Sequence, residues 1–165
     1  MKARPIIFDK HSVKTTFEGC KTKTRRVAKG AYAPLPEFVK NPYGVAGDIL
    51  WVKESFWTRA NEVSYEPQHE QGWEKRNVLF MPRRHSRLTL RITGYWLEYL
   101  QDITDEDILA EGITISEGNL RDVWIQRWDS INAKRGYPWA ENPVVHVVSF
   151  KILDTFDKVG GLKNA

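Results

Sequence analysis

Thiol chemistry is almost absent from this chain: Cys20 is the single cysteine among 165 residues. One cysteine excludes an internal disulfide, so a reducing, cytoplasmic setting is expected rather than an extracellular one. Histidine is scarce too. His11, His69, His85 and His146 are scattered along the sequence and offer no metal-ligand spacing, so no metal site is expected. The phosphate loop G-x-x-x-x-G-K-[ST], the dinucleotide fingerprint G-x-G-x-x-G and the nucleophile elbow G-x-S-x-G are all missing. The chemistries that depend on them are set aside, and no cofactor is expected. No apolar run approaches the roughly 18 residues of a membrane span. The opening "MKARPIIFDK" lacks the apolar stretch of a signal peptide. Internal repeats and low-complexity tracts are also lacking.

What remains is an aromatic, mildly basic chain of a length that suits one core. Seven tryptophans exceed what is needed to fill a small domain, which leaves rings to stack on a ligand. The net charge of +4 is compatible with an anionic partner such as RNA or DNA. Whether it attracts one depends on how the charges cluster.

Local signals predict the elements. Asp9 is a good N-cap for a first helix, Phe8 and Val13 have staple spacing, and Gly19 is a natural stop. "CKTKTRRV" then reads as a strand. Prolines and glycines between residues 31 and 48 predict loop. "ILWVKESFW" is a strand candidate. Residues 59 to 77 read as a long surface loop or a loose hairpin. "VLFMPRRHS" and "RLTLRITGYWLEYL" read as two further strands. "ITDEDILAEG" is a short helix capped by Thr104, stapled by Ile103 and Ile108, and ended by Gly112. Leu120, Val123, Trp124, Trp128 and Ile131 form the apolar stripe of a longer helix. "VVHVVSFKIL" is a final strand, apolar enough to be central. Strand–helix alternation is not repeated, so a mixed or antiparallel sheet is expected rather than a doubly wound one.

The stretch "EGCKTKTRRV" carries the chemistry. In a strand, Thr22, Thr24 and Arg26 share one face and Lys21, Lys23 and Arg25 the other. A charge run is ordinarily a wet surface, and Lys23 and Arg25 fit that reading. Lys21 follows the helix stop, where its long stem can swing toward Thr24. A threonine hydroxyl needs a base to become a nucleophile, and a lysine serves as one only when burial or neighbouring cations lower its pKa. Cys20 is a rival nucleophile, or simply a small residue beside a glycine. Glu111 closes the helix that Thr104 opens. A helix's carbonyl end disfavours negative charge, the direction a general acid needs; an exposed glutamate at a frayed end is the plainer alternative. A second basic patch, Arg83, Arg84 and Arg87, could join the first in a cleft for phosphates. Trp51, Trp57, Trp73 and Tyr43 could stack bases.

"GCKTKTRR", "GDILWVKESF", "MPRRHSRLTLRIT" and "LQDITDEDILAEGI", followed by the tryptophan-bearing helix, resemble ASCH-domain proteins in sequence and order. The likeness is greatest to phage and prophage members and runs roughly from residue 2 to 154. It implies an α+β, PUA-like fold, a small β-barrel flanked by helices, in one domain of residues 1–154 with a flexible tail at 155–165. It also implies binding of RNA or a modified nucleoside, in a bacterial host cell if phage-encoded. One branch of small bacterial ASCH proteins hydrolyses N4-acetylcytidine with a lysine, a threonine and a glutamate. Lys21 and Thr24 match the first two through the motif G-x-K-x-x-T-x-R, and Glu111 is the match for the third. The resemblance therefore implies either a nucleic-acid or modified-nucleobase binding domain, or an amidohydrolase. In the second case Lys21 is base, Thr24 nucleophile and Glu111 acid, with Arg26 or a backbone N–H stabilising the oxyanion. Arg26, Arg83, Arg84, Arg87 and Trp57 are the expected ligand contacts.

Overall fold

The computed structural model describes residues 1–31, 34–37, 39–114, 118–157 and 161–163, with those from 154 onward as backbone only. The first element was not legible as such: Ala3–Ile7 forms strand β1, ahead of the helix α1 at Lys10–Phe17. Asp9 caps α1 as expected, its carboxylate accepting from the Ser12 N–H at 2.8 Å. Phe8 and Val13 are both buried.

Strands β2 (Lys23–Val27), β3 (Ile49–Lys53), β7 (Leu88–Tyr99) and β8 (Val144–Asp157) join β1 in one sheet of order β1-β3-β7-β8-β2. β9 (Gly161–Lys163) pairs with the end of β8. β8 and β9 carry pairing beyond residue 154, while residues 158–160, 164 and 165 of the expected tail lie outside the described residues. The sheet is mixed: β1 and β3 are parallel, the other ladders antiparallel.

The expected barrel is not closed by hydrogen bonds. β1 and β2 stand at opposite ends of the order, and among the described residues no ladder joins them. Register shifts in the β7–β8 pair after Thr89 and Ile92 bend the sheet instead.

"ILWVKESFW" is two strands rather than one. β4 (Phe56–Arg59) leaves the main sheet and pairs with β5 (Glu62–Ser64) and β6 (Glu74–Arg76), giving structure to the stretch read as loop or loose hairpin. The strand expected at "VLFMPRRHS" is absent. Two 3₁₀ turns, Val78–Phe80 and Arg83–His85, take its place on either side of Pro82, which has no N–H to give a ladder.

Helices α2 (Asp105–Ala110) and α3 (Leu120–Asn132) cover one face of the sheet. Thr104 caps α2 through the Asp107 N–H at 3.2 Å, and Asn119 caps α3. β8 serves two cores by alternation. Val148 and Phe150 pack with Phe8, Val13, Leu50 and Leu90, while Val145 and Val147 pack with Ile108, Trp124 and Trp128. Its continuous apolar run follows from having both faces covered. Of the stripe on α3, Trp124 and Trp128 are buried, whereas Ile131 stays exposed.

Candidate functional site

The two unpaired edges, β1 and β2, face one another across a seam. Arg26 on β2 crosses it: Nη2 donates to the Ile7 carbonyl at 2.7 Å, and the guanidinium lies 5.7 Å from the Phe8 ring centroid. A cavity of about 820 Å³ follows this seam. Residues 5–7 and 24–27 line it on the sheet side, and Trp124, Arg127 and Trp128 on the α3 side. Lys21, Thr24, Arg26 and Glu111 all line it.

Lys21 enters the site through backbone pinned at both ends. Cys20 and Lys21 donate their N–H groups to the Thr15 carbonyl at the end of α1, and Thr22 donates to Ala110 at the end of α2. Lys21 and Glu111 form an isolated antiparallel bridge, so these two residues are adjacent although 90 positions apart. Gly112 permits the approach. Its φ is +81°, and a Cβ there would stand 2.5 Å from Thr15 Oγ1 and 3.0 Å from Lys21 Cβ.

Lys21 is only 4% exposed, and its Nζ donates to Glu111 Oε2 at 2.6 Å and to the Glu111 carbonyl at 3.0 Å. Burial pushes the Lys21 pKa down; Glu111 opposes this, while Arg26 and Arg127 add to it, and the result is a lowered pKa. Thr24 is buried in the register position opposite Val148, on the same strand face as Arg26. Thr24 and Arg26 thus share a strand face, as alternation predicts.

Arg25 is a correction. The sequence places it on a wet surface, yet its side chain is wholly buried. Nε donates to Glu98 at 2.7 Å, Nη2 to Asp107 at 2.5 Å and Nη1 to Glu111 Oε1 at 3.3 Å. Burial opposes its charge, but the three carboxylates outweigh burial and raise its pKa. Lys23 also pairs with Asp107 and lies over Trp96. Glu111 thus receives a cation on each carboxylate oxygen, Lys21 on one and Arg25 on the other. It is buried, not frayed.

The second basic patch does not join this cavity. Arg83 and Arg84 sit exposed on a 3₁₀ turn and line neither cavity described here. Arg87 pairs with both oxygens of Glu54, at 2.9 and 2.6 Å, and stacks over Tyr65 at 4.0 Å. Arg87 and Trp57 line a separate cavity of about 420 Å³ beside α1. Cys20 is exposed and lines neither cavity. Among the described residues no three His, Cys, Asp or Glu side chains are grouped to hold a metal ion, and no helix is long and apolar enough to cross a membrane.

Sequence reasoning missed several members of the site. Asp9 lines the cavity as well as capping α1, and receives Arg127 Nη2 at 2.7 Å. Trp124 was assigned to the core alone. It also lines the cavity, and among the described residues its buried indole N–H has no acceptor. His146 lies against the wall formed by Tyr43, ring centroids 5.6 Å apart, and its Nδ1 is 2.8 Å from the Tyr95 hydroxyl. A histidine set between two valine pairs in "VVHVVSF" was the available signal for it.

No protein-family model matches the sequence, and no curated protein matches it significantly. Among solved structures the chain is similar to an ASCH domain from Lactobacillus crispatus JV V101, at 12% identity and a TM-score of 0.47, over 92% of this chain and 78% of that one. It is also similar to protein EF3133 from Enterococcus faecalis V583, of the family model DUF984, at 10% identity and a TM-score of 0.52, over 95% of this chain and 84% of that one. The chain shares its α+β fold with EF3133.

Proposed function

We propose that the seam cavity of this ASCH-type domain binds a nucleobase carried on a nucleoside. The observation that carries this reading is the convergence of Lys21, Thr24, Arg26 and Glu111 on one cavity that also holds Tyr43 and Trp124. A volume of about 820 Å³ is within the range of small-molecule sites. Tyr43 supplies an aromatic face. Trp124 supplies a buried donor suited to a base carbonyl. A long nucleic-acid track over both basic patches is not favoured, because Arg87 is committed to Glu54.

The test is titration of the protein with cytidine and N4-acetylcytidine, followed by calorimetry. Saturable binding, weakened about tenfold by Tyr43→Ala, is the expected result, from the stacking of one base on one ring. No binding of any nucleoside at millimolar concentration defeats the reading.

A second reading, hydrolysis of an N4-acyl group, is favoured by one contact: Lys21 Nζ and Glu111 Oε2 are 2.6 Å apart in a buried site. Transfer of one proton across that contact leaves a neutral amine and a carboxylic acid, the forms that base and acid catalysis require. The Lys21 amine then takes the Thr24 hydroxyl proton as Oγ1 attacks the acyl carbon. The C–N bond breaks as Glu111 protonates the departing exocyclic amine. Lys21 returns its proton to the Glu111 carboxylate across the same contact; its amine then takes a proton from the water that attacks the Thr24 ester and gives it to Thr24 Oγ1 as the ester C–O bond breaks and the acid is released. Arg26 is the cation available to the developing oxyanion. Incubation with N4-acetylcytidine should yield cytidine by chromatography, and Thr24→Ala should abolish it. Absence of turnover at high enzyme concentration would sink hydrolysis while leaving binding intact.

A further inference from the structure

The seam cavity, at about 820 Å³, is larger than a nucleobase requires, and its charge is unevenly compensated. It is lined by six cationic side chains and two carboxylates, Asp9 and Glu111. Both carboxylates are engaged: Asp9 by Arg127 at 2.7 Å, Glu111 by Lys21 and Arg25. Arg25 is balanced further by Glu98 and Asp107. The remaining three cations, Arg26, Lys29 and Arg135, have no carboxylate at ion-pair distance among the described residues. Arg26 is held by a neutral carbonyl, so its charge is not cancelled.

These uncompensated cations are displaced from Lys21 and Thr24 along both elements that wall the cavity. On the sheet side, Lys29 lies in the turn just beyond the end of β2 at Val27, five residues past Thr24. On the helix side, Arg135 lies eight residues past Arg127, about 12 Å at helical rise. Lys29 and Arg135 are exposed, whereas Lys21 and Thr24 are buried. The cavity's lining thus runs from buried Lys21 and Thr24 to an open, exposed part that holds Lys29 and Arg135. Asn132, whose amide donates to the Trp128 carbonyl at 3.2 Å, and Tyr137 line it with Arg135.

We propose that the open part is a phosphate subsite, formed by Lys29 and Arg135 with Arg26. Resting on the nucleobase reading above, this makes the ligand class a nucleotide phosphate rather than a neutral nucleoside. Guanidinium and ammonium groups without a competing carboxylate favour a phosphate oxygen through charge-assisted hydrogen bonds. The phosphate has two possible sources, a free nucleoside 5′-monophosphate or the backbone of a nucleic acid strand.

The experiment compares cytidine, uridine, adenosine and guanosine with their 5′-monophosphates and with a short single-stranded oligoribonucleotide, by calorimetry at low salt. At least one monophosphate should bind about tenfold more tightly than its nucleoside, the gain expected of a charge-assisted contact. Lys29→Ala with Arg135→Ala should remove that gain and leave nucleoside affinity in place. Lys151→Ala, an exposed cation outside the cavity, should preserve the gain. A tighter oligoribonucleotide identifies the backbone as the source; a tighter monophosphate identifies the free nucleotide. Equal affinity for nucleoside and monophosphate, or a gain that survives the double substitution, overturns the phosphate subsite while the nucleobase reading stands. Failure of every nucleoside and nucleotide to bind overturns both. Thermal melts of the double variant matching the parent keep the result interpretable.

Discussion

Arg25 donates to Glu98, Asp107 and Glu111 from a side chain with no solvent exposure. A buried cation so arranged is weak evidence of net stability, since desolvation offsets much of the Coulombic gain. Removing one partner is another matter, because the charges left behind stay buried. Arg25→Met should cost about 3–5 kcal/mol, read as a lowered urea midpoint. A loss below about 1 kcal/mol would mean that the three carboxylates rehydrate freely. Glu111→Gln keeps the shape and one acceptor but leaves Lys21 without its anion. Since Glu111 raises the Lys21 pKa against the larger effect of burial, this variant should lower that pKa further. An upward movement of the Lys21 Nζ titration in NMR spectra of the variant would contradict the assignment of Glu111 as the anion that holds the ammonium.

At the scale of elements, the end of α2 is delivered to Lys21 by Gly112. Alanine there meets two obstacles, a φ of +81° and a contact of 2.5 Å with Thr15 Oγ1. Gly112→Ala should therefore destabilise by about 2 kcal/mol or more, and should disturb ligand binding because Lys21 Cβ is the next neighbour. A variant with parental stability would show that the α1–α2 contact can yield. The elements here were legible to the extent that their causes are local. Asp9, Thr104 and Gly112 announce two helices within a few residues, and the alternation of Thr24 and Arg26 against Lys23 and Arg25 needs only the strand period. The partners of Arg25 were not legible, because Glu98, Asp107 and Glu111 lie 73, 82 and 86 residues away. Only the sheet order brings them together. The false strand at residues 78–86 had apolar residues, but Pro82 divides it into two 3₁₀ turns.

The whole molecule is a bent sheet with an open seam, and the site occupies the seam because unpaired edges leave space that a closed ladder would fill. Its electrostatics predict how stability changes with pH. Burial holds the His146 pKa below its ordinary 6.5. The unfolded chain then binds the proton more readily than the native state, so His146 contributes stability above about pH 6.5 that is lost as pH falls toward its native value. The Asp107 carboxyl is held below its ordinary 3.8: burial alone would raise it, but Lys23 and Arg25 together prevail. Asp48 is held low chiefly by the backbone N–H of Lys2, with Arg4 assisting. These carboxylates contribute stability above about pH 3.8 that is lost as pH falls through their depressed native values. Urea midpoints measured from pH 8 down to pH 3 should thus show a first step of decline that begins below pH 6.5, from His146, and a second that begins below pH 3.8, from the carboxylates. His146→Gln should erase the first step and leave the second. A flat profile between pH 7 and 5 in the parent, or a first step that survives His146→Gln, would exclude His146 as the group that titrates, and with it the account of the buried Tyr95–His146 contact behind the cavity wall.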